Sequence, residues 1–122
     1  LALERLASPE TLLEMQNAIA AVRVHEGILD YITDVVSRTR AHRSLTFGAS
    51  PRASIALLAV ARALAASQGR DFVVPDDVKA LAPAVLRHRV GLHPDAEIEG
   101  MTSDDCVADI LREAQVPKGL EA

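Results

Sequence analysis

Any chemistry in this sequence must come from a few side chains: four histidines, one cysteine and the arginine at the head of a long apolar run. His25, His42, His88 and His93 show no HExxH spacing and no partnering cysteines, so they lack the pattern of a metal site and read as exposed or capping residues. Cys106 stands alone, which excludes an internal disulfide and suits a reducing, cytoplasmic compartment. There is no GxSxG nucleophile signature. The phosphate-cradling GxxxxGK[ST] pattern is also absent, so the chain does not hold a nucleotide in the P-loop manner. Ser50 could be cast as a nucleophile, but its place directly before Pro51 reads as a helix cap, like Ser8 before Pro9.

That leaves Arg52. The other proline- or serine-marked helix starts put acid in the first turn: Glu10 after Ser8-Pro9, Asp76 and Asp77 after Pro75, Asp104 and Asp105 after Thr102-Ser103. Ser50-Pro51 is followed instead by a cation, which opposes the helix macrodipole at a cost of about 0.3–1 kcal/mol when exposed. Breaches of a local rule concentrate at functional sites. Gly48, Ala49, Ser50 and Arg52 therefore form a candidate anion site. It would combine a flexible Gly48-Ala49 approach, helix amides that favour phosphate, and a guanidinium capable of bidentate contact. The competing reading lays Arg52 over the bundle or pairs it with an acid such as Glu26 or Asp30.

The elements that must position these residues are helical. A first helix opens at Ser8-Pro9-Glu10, with Leu12, Met15, Ile19 and Val22 at helical spacing. A second runs from about His25 to Ala41 with Ile28, Ile32, Val35, Val36 and Thr39 on one stripe. After a loop over 42–49, a third runs from Ser50-Pro51 to about Ser67, stopped by Gly69. Arg62 is the only charge in its interior, and apolar character almost all round places it in the middle of a bundle. A fourth opens at Pro75-Asp76-Asp77, aligns Val78, Leu81, Ala82, Val85, Leu86 and Arg89, and should kink or break at Pro83. Residues 90–100 read as an irregular arm with a short strand near Ile98, and a fifth helix follows Thr102 with Val107, Ile110 and Leu111 buried. The fold class is thus all-α, a small bundle of four to five helices, with a short extended segment near 71–74 or 96–99.

Composition agrees. The 122 residues suit one domain able to bury its own core, and 49% of them are hydrophobic although Tyr31, Phe47 and Phe72 are the only aromatics. Alanine and leucine dominate, and both favour helix. A formal net charge of −4 argues against a general nucleic-acid binder, despite the local basic segment of Arg38, Arg40, His42 and Arg43. No apolar run approaches the roughly 20 residues that span a bilayer. Leu1 at the start reads as a processed or excised terminus.

The stretch Gly48-Ala49-Ser50-Pro51-Arg52-Ala53-Ser54 resembles the signature of the lid subdomain in the MoxR family of AAA+ ATPases. The similarity extends upstream to Leu29-Asp30-Tyr31-Ile32 and Arg38-Thr39-Arg40. Downstream it takes in Gly69-Arg70-Asp71-Phe72-Val73, the run from Pro75 to Pro83, and Val85-Leu86-Arg87-His88-Arg89, so that roughly residues 10 to 115 are covered. The resemblance implies a C-terminal lid following a nucleotide-binding domain that carries the P-loop. Residues 1–7 would then be the linker from that domain, 8–115 the helical lid and 116–122 a frayed tail. It implies that Arg52 is the second sensor, reaching the γ-phosphate of ATP in a full ring, with ATP and Mg2+ as cofactors of the parent protein only. It also implies an ATP hydrolase with hexameric subunits, a chaperone-like role, and partners with a von Willebrand A-type domain. In the family, His25 and Val74 replace better helix caps, so these two starts are expected to fray. The alternative is a helical protein-interaction or nucleic-acid-binding module with no nucleotide-linked role.

Overall fold

Helix starts are decided locally, by whatever satisfies the unpaired amides of the first turn. In the computed structural model, which describes residues 2–120, the Ser8 hydroxyl accepts from the Thr11 amide at 3.1 Å and opens helix α1, Pro9–Ala20. His25 caps α2, Glu26–Thr39, through Nδ1, which accepts from the Gly27 amide at 2.9 Å. This start was expected to fray; an imidazole nitrogen does the work of the missing hydroxyl. Strand β1, Leu45–Phe47, then leads to α3, Pro51–Ser67. α3 ends at Gly69, whose φ of +74° suits only glycine. There the Arg70 amide bonds the Ala65 carbonyl and the Gly69 amide the Ala66 carbonyl, a Schellman closure.

The start of α4, Pro75–Leu86, is also secured, although Val74 has no polar side chain. Asp77 reaches back to the Val74 amide at 2.9 Å, and Arg70 holds the same carboxylate with two bonds of 2.6 and 2.8 Å. Asp77 is 3% exposed, so this fork welds the α3–α4 connection from inside. The helix continues through Pro83 to Leu86 rather than breaking there. Strand β2, Gly91–Leu92, and the short helix α5, Pro94–Ile98, occupy the segment read as an irregular arm. Helix α6, Ser103–Glu113, opens with a reciprocal box: Thr102 Oγ1 accepts from the Asp105 amide at 3.1 Å, and Asp105 from the Thr102 amide at 2.9 Å.

The described residues thus form six helices and one two-stranded antiparallel sheet, with Leu45 opposite Leu92 and Phe47 opposite Gly91. The all-α class holds, while the extended segments differ in place. Residues 96–99, expected as a strand, lie in and just beyond α5, because Pro94 and the His93 cap start a helical turn that Gly100 stops at φ +87°. Near 71–74 only Phe72 bridges, to Arg23.

At the centre lie two facing stripes. α2 buries Ile28, Tyr31, Ile32, Val35, Val36 and Thr39, and α3 buries Ala53, Leu57, Ala61 and Ala65. Val78, Ala82, Val85 and Leu86 of α4 and Cys106, Val107 and Ile110 of α6 close the core around them. α3 is therefore not enclosed all round, as its composition suggested: Arg52, Ile55 and Ala59 face outward and are exposed. α1 buries nothing, and of its expected stripe only Val22, past its end, is in the core, because α1 lies at the edge of the bundle with α3 as its main neighbour. In the tail expected to fray, Val116 and Leu120 lie against the core, while Leu1 of the linker and residues 121–122 fall outside the described residues.

Asp77→Ala should cost about 3–5 kcal/mol, since it strands the Arg70 guanidinium half-buried and opens the α4 cap together. Urea unfolding of the variant against the parent chain would measure this.

Candidate functional site

The loop that aims Arg52 is held by the end of α2. Ala49 is fully buried, its N–H donates to Thr39 Oγ1 at 2.9 Å, and its carbonyl accepts from the Arg40 guanidinium at 2.7 Å. The Thr39 hydroxyl spends its proton on the Val36 carbonyl at 2.5 Å, so its lone pair is left for Ala49. Arg40 also donates to Ser37 Oγ at 3.2 Å, which fixes the guanidinium in place. Gly48 lies flat on the same turn: a Cβ there would sit 2.5 Å from the Thr39 carbonyl carbon and 2.6 Å from Arg40 Cα. Gly48 is thus needed for close backbone approach rather than for the flexibility expected of Gly48-Ala49, and its φ is not positive.

At the end of this clamp the chain turns into α3. Ser50 occupies the cap position with extended backbone, φ −80° and ψ 170°, yet its side chain makes no bond to the helix amides. This corrects the expectation of a capping hydroxyl like that of Ser8. α3 is also the one described helix with no acid in its first turn. Arg52 stands there exposed and joins none of the ion pairs among the described residues, so it is bound neither to Glu26 nor to Asp30. Of the four residues assigned to the site from sequence, Ser50 and Arg52 present free polar groups. Gly48 and Ala49 serve as the frame, because both polar groups of Ala49 are taken within the fold.

Thr39 and Arg40 are the positioning residues that reasoning from chemistry alone passed over. Their signal was the Arg38-Thr39-Arg40 string, but nothing local says that a helix C-terminus will hold a loop ten residues later. The neighbouring basic residues are largely neutralised: Arg38 pairs with Asp34 at 3.0 Å and reaches Glu113 at 3.9 Å, and His42 meets Asp109 at 3.4 Å. The shifted titrations lie elsewhere. Burial raises the Tyr31 phenol, helped by Asp76 and Asp34, and burial raises the Cys106 thiol, helped by Asp109 and Asp105. Neither has the lowered pKa of an activated nucleophile.

The sequence model of the AAA lid domain family matches residues 37–110, which run from the end of α2 into α6 and include the clamp and Arg52. The chain belongs to that family. The lid is similar to YeaC of Bacillus subtilis, 41% identical over 94% of this chain and 36% of that protein. It is also similar to the chaperone MoxR1 of Mycobacterium tuberculosis, 36% identical over 94% of this chain and 33% of that protein. The lid thus spans about a third of these curated relatives. A crystal structure of a candidate ATPase from Cytophaga hutchinsonii superposes with a TM-score of 0.84 at 35% identity, over 89% of this chain and 36% of that one. These likenesses make it a lid of the MoxR kind.

Thr39→Val should cost about 1–3 kcal/mol by leaving the buried Ala49 amide without an acceptor. Gly48→Ala should destabilise further, because the obstacle is backbone and cannot move aside. Arg52→Ala should change stability by less than about 0.5 kcal/mol. Denaturant midpoints of the three variants would separate the frame from Arg52.

Proposed function

We propose that this lid couples ATP binding and hydrolysis in a AAA+ ring machine to rigid-body movement, with Arg52 as the second sensor contacting the γ-phosphate. The observation that carries the reading is an exposed, unpaired guanidinium at the first turn of a helix whose amides no hydroxyl occupies, on a loop clamped to the bundle. Such an N-terminus suits a phosphate group. The rest of the nucleotide has no holder here, since the chain lacks a P-loop, so that part of the site belongs to another domain of the parent protein. When bound, ATP with Mg2+ would supply the terminal phosphate whose charge is lost on hydrolysis.

The chain's own part is to present charge and to move. Arg52 binds the terminal phosphate oxygens through its fork and stabilises charge developing there. Because the Arg52 turn is tied to α2 through Ala49, and α3 to α4 through Arg70 and Asp77, a pull on Arg52 displaces the bundle as one body. The family reading extends to a hexameric ring, a chaperone-like role and von Willebrand A-type partners. Nucleic-acid binding is disfavoured by the internal pairing of Arg38 and His42 and by the burial of the α3 stripe.

In the full-length parent ATPase, Arg52→Ala should lower ATP turnover by more than about tenfold while the protein stays folded. Arg52→Lys should recover only part of it, because an ammonium lacks the bidentate geometry. Steady-state phosphate release measures both, and turnover unchanged in Arg52→Ala would sink the sensor role.

A further inference from the structure

Each of the four histidines commits one ring nitrogen to a group that can only donate. At the start of α2, His25 Nδ1 accepts from the Gly27 amide at 2.9 Å. In the turn before β1, His42 Nδ1 accepts from the Ser44 amide at 3.1 Å, and at the start of α5, His93 Nδ1 accepts from the Asp95 amide at 3.2 Å. His88 Nε2 lies 2.8 Å from a guanidinium nitrogen of Arg89, which has no lone pair to offer in return. Three separate places in the fold thus use one arrangement, an imidazole bonded to the amide two residues on, where asparagine or aspartate commonly stands.

A ring nitrogen accepts only while it carries no proton. The neutral ring then keeps its proton on the other nitrogen, which for His42 places an N–H toward Asp109 of α6, 3.4 Å away. A second proton turns the accepting nitrogen into a donor that faces another donor, and the bond is lost. At α2 and α5 the new cation also stands at a helix N-terminus, against the macrodipole.

The charges around the three rings do not repair this. Beside His25 stands Glu26, and the hollow that begins at Gly27 is edged by Asp30, Asp34 and, from the tail, Lys118. His42 is followed by Arg43 and meets Asp109, whose other oxygen Arg112 holds, with the Arg38–Glu113 pair also joining α2 to α6. His93 lies 3.7 Å from the Asp95 carboxylate, in a hollow shared with Arg43 and Glu99. Carboxylates attract the added charge, yet none of them bonds the Gly27, Ser44 or Asp95 amide that the ring releases.

We infer that His25, His42 and His93 make this domain acid-sensitive: as the rings take up a proton, the first turn of α2, the turn into β1 and the first turn of α5 loosen together. The last two are joined, because the His93 amide donates to the Ser44 carbonyl at 2.8 Å beside the small sheet. The response does not depend on what Arg52 binds.

The test follows histidine ring nitrogens and backbone amides of the isotope-labelled chain by NMR from about pH 7.5 to about pH 5.5, within the range where imidazoles change charge. At the upper end Nδ1 of the three residues should be unprotonated and the Gly27, Ser44 and Asp95 amides protected. At the lower end their protection should fall at least about tenfold, and the melting temperature should drop by at least about 4 °C. The triple variant His25→Asn, His42→Asn, His93→Asn offers acceptors that do not titrate, so its melting temperature should move by less than about 2 °C over the same interval. Nδ1 carrying the proton in the neutral rings, protection that survives acidification, or an equal drop in the triple variant would each overturn the inference. The titration of the parent chain decides it alone if the triple variant does not fold.

Discussion

The seam between the last turn of α2 and the loop entering α3 constrains the rest of this domain. Ala49 has no solvent exposure, so its backbone groups must be satisfied inside the protein, and Thr39 and Arg40 supply one bond each. Gly48 permits the approach by having no side chain. With that seam closed, α3 leaves the loop in one direction, and its small buried residues at 53, 61 and 65 let the neighbouring helices come close. The position of Arg52 is a consequence of backbone hydrogen bonding some distance behind it.

Arginines in this domain divide by what they face. Arg70 is a structural weld, held by a nearly inaccessible carboxylate that also caps the next helix. Arg40 is a positioning group, spending itself on a carbonyl and a hydroxyl. Arg52 and Arg62 lie on the outward side of the same helix and join no ion pair among the described residues. Exposed ion pairs elsewhere, such as Arg87 with Asp104, contribute little to stability. Arg52 is more informative than the paired arginines, because the fold has not used it.

Helix boundaries were legible in the sequence. Ser8, Pro75, Thr102 and Gly69 act within a turn of where they stand, so their effect can be read without knowing the neighbours. His25 and Val74 were misread because their substitutes, an imidazole nitrogen and the Asp77 carboxylate, were not weighed as caps. β1 and β2 escaped notice because each is so short that only its pairing with the other, some forty-five residues away, makes it a strand. Of the candidate site, the unusual charge of Arg52 was visible, while the uncapped Ser50 and the engaged Ala49 were not.

The sequence by itself determined the helical class, where most helices begin and end, and which residue defied the local electrostatic rule, because these follow from interactions between residues a few positions apart. Only the tertiary structure decided which apolar faces would be covered. The periodicity of α1 and α3 announces an apolar side without saying whether anything packs on it, and here Leu12, Met15 and Ile55 stay exposed. Tertiary structure also decided which arginines would be paired, since a charge is neutralised by whatever the folded chain brings within reach.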